Sequence, residues 1–242
     1  MIRATGIDKI YKLPDGNDFY ALHDVEVEIP DGTLTILKGR SGSGKTTLTR
    51  MLARHYGWEA RYEAVTYNPY LEDYYKDIER WSFPLEVFFL KERFKDILDI
   101  NKANHCIIQD RSIFEGVHVF VANNRAQGNL SERDYQTFME LFEQMVNLVH
   151  YPDLLIYLRA GIPHLVANIQ KRGRDYEQRI QIDYLKGLNE RYEDFIQHSY
   201  GGRVLTIDVD GMDFQHNRED FARIVDKVNG RLFSLFPDDN DK

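Results

Sequence analysis

The run Gly39-Arg40-Ser41-Gly42-Ser43-Gly44-Lys45-Thr46 holds the most specific chemistry in this chain. Its glycines let successive backbone N–H groups curl round an anion with no Cβ in the way. Lys45 places a cation at the outer phosphates of a nucleoside triphosphate, and the Thr46 hydroxyl can ligate Mg²⁺. The run follows an apolar stretch at 33–38 and opens a helix running from 44 to about 56, whose N-terminal end adds positive potential. Gly39, Ser41, Gly42, Ser43, Gly44, Lys45, Thr46 and Thr47 are therefore the expected nucleotide-phosphate contacts, for ATP or GTP.

Three further groups could meet that phosphate. Asp110 and Arg111 follow a buried-looking run at 106–109, which puts them at the carboxyl end of a strand, where open α/β sheets collect ligands. Glu63 closes a strand expected at 61–65 and can face the cleft that holds Lys45. Lys171, Arg172 and Arg174 end an apolar-periodic helix at Gly173; such a basic cluster alone reads as a solvated face.

Other chemistry is set aside by composition. The net charge of −8 argues against a nucleic-acid partner, and Cys106, the single cysteine, excludes an intrachain disulfide. Cys106 reads as an inert core thiol in a strand. No basic-then-apolar leader and no run of about 18 apolar residues is present, so no membrane partner and a cytoplasmic location are expected.

The elements that would position these groups alternate in type. Strand candidates lie at 33–38, 61–65, 105–109, 154–158 and 204–208, and helical patterns at 81–100, 132–149, 162–171 and 182–198. That order predicts a parallel sheet between helices. Ahead of it, 2–13 and 21–29 read as two strands around the turn Pro14-Asp15-Gly16-Asn17, with Val25, Val27 and Ile29 facing inward, and predict an antiparallel ribbon.

The first 57 residues resemble the start of an ABC transporter ATPase, through Ile10-Tyr11-Lys12-Leu13, Ala21-Leu22-His23-Asp24-Val25, Ile29-Pro30-Asp31-Gly32 and the glycine loop. In that resemblance Tyr11 stacks on adenine. The remainder has no LSGGQ-like signature, and the run Tyr151 to Leu158 ends in Arg159 rather than the Asp-Glu pair of that family. From about 33 to 236 the chain resembles bacterial deoxynucleoside kinases. The carrying segments are Glu63-Ala64-Val65-Thr66-Tyr67-Asn68-Pro69-Tyr70-Leu71, Arg80-Trp81-Ser82-Phe83-Pro84-Leu85, Asp110-Arg111-Ser112-Ile113-Phe114-Glu115 and Lys171-Arg172-Gly173-Arg174-Asp175-Tyr176-Glu177. The change of family near residue 33 raises the possibility of a chimera.

This second resemblance implies a three-layer α/β P-loop kinase fold and Mg²⁺-dependent transfer from ATP to a deoxynucleoside, purine or broad in range. It implies Glu63 as general base, Arg111 on the substrate hydroxyl, Asp110 with Thr46 on Mg²⁺, and Arg172 and Arg174 as lid arginines over the phosphates. It places Tyr75 and Glu177 on the sugar 3′-hydroxyl. Glu86 and Gly116 fall in the base pocket where the family has Gln and, in some members, Asp; Asn168 replaces a lid arginine and Ala64 a proline. Ionised Glu86 offers only acceptors, which suits guanine, and needs a buried partner, for which Arg111 is the expectation. Gly116 would leave the pocket roomier, with Tyr67 filling part of the cleft.

The expected organisation is a ribbon at 1–32, a kinase domain at 33–236 and an acidic tail at 237–242, assembled as a homodimer through segments 112–125 and 132–149. Two alternatives stand beside it: a nucleotide-binding module without turnover, and an ABC-like ATPase fragment.

Overall fold

The computed structural model describes residues 2–12, 18–29, 34–39, 42–63, 67–172 and 182–233. In chain order the first elements are β1 (Ile2–Lys12), β2 (Asp18–Ile29), β3 (Leu34–Gly39), α1 (Lys45–Tyr56), β4 (Glu59–Arg61), α2 (Leu71–Lys76), α3 (Ile78–Ile100) and β5 (Ile107–Asp110). Then come α4 (Ile113–Glu115), a π-helical stretch (Gly116–Val121), α5 (Ala122–Ala126), α6 (Glu132–Val146) and β6 (Leu154–Arg159). The chain closes through α7 (Ile162–Arg172), α8 (Ile182–Asp194), a further π-helical stretch (Phe195–Ser199), β7 (Val204–Asp208) and α9 (Arg218–Leu232).

Among the described residues β3 to β7 form one sheet in the order β4-β5-β3-β6-β7, parallel throughout. A parallel sheet is covered on both faces, so its strands bury both side-chain sets. All six residues of β3 are buried. Along β6 the sides alternate with the period of a strand. Leu154, Ile156 and Leu158 join Leu48 and Leu52 of α1 and Ile224 and Val228 of α9, whereas Leu155 and Tyr157 join Leu90 of α3, Phe138 of α6 and Leu188 of α8. Helix, sheet and helix make three layers. Leu48 and Leu52, four apart on one face of α1, are fully buried, and Leu52→Ala would cost about 2–5 kcal/mol.

β1 and β2 form the antiparallel pair, with Ile2 opposite Ile29, Lys12 opposite Asp18 and register breaks between Ala4 and Ile10. The turn at 14–17, the side chains of the ribbon and the tail at 237–242 lie outside the described residues.

Several boundaries differ from the sequence pattern. β4 is a three-residue edge strand at Glu59–Arg61 rather than 61–65, anchored by Glu59 N–H donating to the Cys106 carbonyl at 3.1 Å. β5 begins one residue after Cys106, which is half-buried. α3 starts earlier than expected because Asp77 caps it, its carboxylate accepting from the Arg80 amide at 3.2 Å. α6 ends at Val146 rather than 149. The helix expected over 182–198 is α8 continued by π-helical turns, closed by Tyr200 N–H donating to the Phe195 carbonyl at 2.9 Å. α2 and α9 were not anticipated.

Candidate active site

The site gathers at the carboxyl ends of β3 and β5, on either side of which the chain winds outward in opposite directions. β3 runs straight into the glycine loop. Gly42 and Gly44 sit at φ of +91° and +87°, a backbone region that L side chains rarely adopt. Both are also crowded. A Cβ on Gly42 would lie 2.7 Å from the Leu165 carbonyl oxygen of α7, and one on Gly44 would lie 2.6 Å from the Phe214 ring. Asn168 of α7 donates its Nδ2 to the Gly42 carbonyl at 2.7 Å, tying that helix to the loop.

Gly39 closes β3 and Ser43 is buried in the loop; Ser41 lies outside the described residues. Lys45 is the first residue of α1 and is buried, with Thr46 exposed and Thr47 half-buried beside it. Burial lowers the Lys45 pKa to about 8; Arg111 acts in the same direction, and Asp110, Glu115 and Glu63 oppose it.

Thr46 Oγ1 donates to Asp110 Oδ2 at 2.5 Å, and the other Asp110 oxygen is buried with no hydrogen-bond partner. Among the described residues no cluster of three or more His, Cys, Asp or Glu could hold a metal. One hydroxyl and one carboxylate, the latter with an orphaned oxygen, fit Mg²⁺, which binds through one or two protein ligands and completes its shell with phosphate and water.

Arg111 follows β5 at φ +83°, strained for a residue other than glycine, and its amide donates to the Leu37 carbonyl at 3.0 Å. This conformation turns its side chain across the cleft. Arg111 Nε lies 2.9 Å from Glu63 Oε2 and Nη1 lies 3.7 Å from Glu115 Oε1, with the guanidinium 4.5 Å from the Phe120 ring centroid. Burial opposes the Arg111 charge, but Glu63, Tyr192, Glu115 and Asp110 raise its pKa well above the ordinary value. Glu63 stands two residues beyond β4 rather than at a strand end, and its second oxygen accepts from Arg93 Nη2 at 2.6 Å. Burial pushes the Glu63 pKa up, yet Arg111, Arg93 and Lys45 outweigh it and hold the carboxyl below its usual range.

The expected Glu86–Arg111 pair does not form, because Arg111 is held by Glu63 and Glu115. Glu86 is buried on α3 and accepts instead from Asn124 Nδ2 at 3.0 Å, while Asn124 Oδ1 accepts from the Tyr74 hydroxyl at 3.1 Å. Burial raises the Glu86 pKa to about 7; Arg93, the Asn124 bond and Arg111 pull it down, and Glu63 pushes it further up. Nor is the pocket wall at Gly116 open. A Cβ there would lie 2.4 Å from Arg93 Nη1, so a guanidinium fills the space. Tyr67 does not fill the cleft: its ring is 67% exposed and its hydroxyl reaches Glu92 at 3.5 Å. Tyr75 packs edge-on against Tyr74, next to the Glu86 group.

The lid expectation is only partly placed. Arg172 is the last residue of α7, its side chain undescribed, and Arg174, Glu177 and Ala64 lie outside the described residues.

Sequence reasoning missed Arg93, Asn124, Glu115 and Lys38. Lys38 is fully buried in β3, 4.2 Å from the Phe195 ring centroid and 4.7 Å from that of Tyr200. Burial lowers its pKa to about 7, with Glu115 pulling it back up. Its signal was a lysine inside a strand otherwise apolar enough to be covered on both faces. Arg93 and Asn124 had none, since their partners lie 30 and 38 residues away, whereas Glu115 stands four residues from Arg111 and carried only that spacing.

The family model for deoxynucleoside kinases matches residues 35–232. The chain is 37% identical over 205 residues to a deoxyadenosine/deoxycytidine kinase of Bacillus subtilis, covering 84% of this chain and 94% of that one. It is 34% identical over 196 residues to a deoxyguanosine kinase of the same organism, covering 79% and 94%. Its fold superposes on a deoxyadenosine kinase from M. mycoides, solved with dCMP and dCDP bound, at a TM-score of 0.73 and 29% identity, over 82% of this chain and 100% of that one. With the phosphate loop, the sheet order and nearly all of the described sheet inside the matched span, the chain belongs to the deoxynucleoside kinase family.

Proposed function

We propose that this chain transfers the γ-phosphoryl group of ATP to the 5′-hydroxyl of a deoxynucleoside, with purine deoxynucleosides as the first candidates. The observation that carries the proposal is the convergence of a carboxylate, Glu63, with Arg111 and Lys45 at the mouth of the phosphate loop. Phosphoryl transfer needs positioning, charge neutralisation and a group that takes the hydroxyl proton. The 5′-oxygen bonds to the γ-phosphorus, the bond to the β-bridging oxygen breaks, ADP leaves, and the hydroxyl proton passes to Glu63. Glu63 is ionised at neutral pH, so it begins the cycle able to accept.

Lys45 and the N-terminus of α1 meet the phosphates, with the loop amides and Thr47 beside them. Thr46 and Asp110 would hold Mg²⁺, which when bound neutralises phosphate charge. Arg111 orients the acceptor hydroxyl, Arg172 and Arg174 close over the phosphates, and Tyr75 and Glu177 bond the 3′-hydroxyl. Glu86 and the backbone at Gly116 line the base side of the cleft, with the Arg93 guanidinium filling the space in front of Gly116. The curated relatives, named for deoxyadenosine, deoxycytidine and deoxyguanosine, support a deoxynucleoside acceptor.

The same reading takes residues 33–236 as the kinase domain, 1–32 as a ribbon of ABC ATPase-like sequence joined ahead of it, as in a chimera, and 237–242 as a solvated tail. The match that opens at residue 35 supports this division. The domain is read as a homodimer through segments 112–125 and 132–149, which sedimentation would test. No helix of the described residues is long and apolar enough to cross a membrane, and we read the chain as cytoplasmic.

The test is ADP release from Mg·ATP with deoxyadenosine, deoxyguanosine, deoxycytidine and thymidine in turn. Release that depends on at least one nucleoside is the expected result. Release without any nucleoside would indicate an ATPase. ATP binding with no release would indicate a module without turnover.

A further inference from the structure

We propose that Arg93 is the positioning residue of the Glu63 carboxylate, and that the bare backbone at Gly116 is what admits it, so that the side chain at 116 sets how Glu63 is held. The inference deepens the reading of Glu63 as the proton acceptor and rests on it.

Arg93 projects from α3 with only 8% of its side chain exposed, against 15% for Glu63, and Nη2 meets Glu63 Oε1 at 2.6 Å. Its other terminal nitrogen lies where a side chain on Gly116 would begin: an ideal Cβ there would be 2.4 Å from Nη1 and 3.6 Å from Cζ. Real Cβ atoms do not approach that closely. The Gly116 backbone is fixed in a helical stretch, and Arg93 Nη1 is the far end of a flexible side chain. Any residue with a Cβ at 116 therefore displaces the guanidinium rather than the helix. Arg111 holds the second Glu63 oxygen at 2.9 Å, so two guanidiniums fix the plane of one carboxylate.

The charge environment of Glu63 follows from its neighbours. Arg93 and Glu86 face it from α3, Arg111 from the end of β5, Lys45 from α1 and Tyr192 from α8. Burial favours the protonated carboxyl, and the cations favour the carboxylate. Moving Arg93 away removes one of them, so the Glu63 pKa must rise. The acid limb of kcat/KM, which reports an essential base in the free enzyme, then moves to higher pH.

The experiment records pH profiles of nucleoside-dependent turnover for wild type, Gly116→Ala, Arg93→Gln, Arg93→Lys and the double variant Gly116→Ala/Arg93→Gln, with Glu63→Gln beside them. The limb is expected to rise by about one unit or more in Gly116→Ala and in Arg93→Gln, as loss of a close opposite charge requires. Arg93→Lys, which keeps the charge, should stay near wild type. The double variant should shift no further than Arg93→Gln alone, because both changes act through one contact. A merely structural role would alter Tm and kcat and leave the limb in place. If Arg93→Gln fails to fold, Gly116→Ala carries the test alone. Limbs that stay put while Glu63→Gln is inactive would overturn the role of Arg93 and spare Glu63 as the base. Additive shifts in the double variant would overturn the link between 116 and Arg93. Turnover retained in Glu63→Gln would overturn both readings together.

Discussion

Among single residues, Glu86 makes the sharpest prediction outside the phosphate loop. Its carboxyl has an ordinary value of 4.5 and burial lifts it to about 7. Between those values the folded chain keeps a proton that the unfolded chain has released. Stability contributed by this group is therefore full below about pH 4.5, falls as pH rises toward 7, and stays lost above it. The shift corresponds to about 3 kcal/mol at its limit. Glu86→Gln removes the titration and keeps an oxygen for Asn124. The gain in Tm of the variant over wild type should be larger at pH 8 than at pH 5; equal gains at both pH values would contradict the raised pKa of this buried carboxyl. The same change tests base choice, since the amide offers a donor and an acceptor where the carboxylate offers acceptors. The glycine loop was legible as chemistry because its residue types sit at a fixed spacing after a strand, Asp110 and Arg111 stood out at the carboxyl end of a buried run, and Glu63 was singled out as a base only through the family resemblance. The partner of Glu86 was not legible: Asn124 lies 38 residues away and is brought to Glu86 by the π-helical stretch Gly116–Val121, which packs on α3 ahead of α5.

For the elements, the question is how α1, α7 and the glycine loop hold one another. Gly42 has the left-handed backbone that costs other residues about 1–2 kcal/mol, and its missing Cβ faces the Leu165 backbone carbonyl, which has no rotamer to change. Gly42→Ala should lower Tm and raise the ATP KM; a variant unchanged in both would mean that the loop and α7 are not in register as described. Asn168→Ala deletes the bond to the Gly42 carbonyl and should cost about 1 kcal/mol in denaturant unfolding, with a higher ATP KM. No loss of stability would show that solvent replaces the bond. Long periodic elements were readable from the pattern, and α3, α6, β6 and β7 lie close to where it put them. Short ones were not. β4 has three residues and one strand neighbour, so its extent is fixed by pairing with β5 and not by its own composition. α9 did carry a signal, since Ile224 and Val228 are buried four residues apart behind an Asn217 cap.

Across the whole molecule, the order of elements made the layered parallel sheet legible, whereas the β4-β5-β3-β6-β7 order came only from the structure. All five strands of the sheet begin at or after Leu34, and the family match opens at residue 35. Removing residues 1–32 should therefore leave a folded chain whose nucleoside-dependent kcat stays within a few-fold of the full-length value. Loss of folding or of turnover would make the ribbon part of the kinase. Whether the carboxylate in the cleft between β3 and β5 takes the hydroxyl proton is read by single-turnover phosphoryl transfer in Glu63→Gln and wild type at saturating Mg·ATP and nucleoside, with ATP binding measured on the same samples. Proton transfer to Glu63 predicts ATP binding retained and phosphoryl transfer slowed by about 10²–10⁴-fold in the variant. Transfer at an undiminished rate would contradict it.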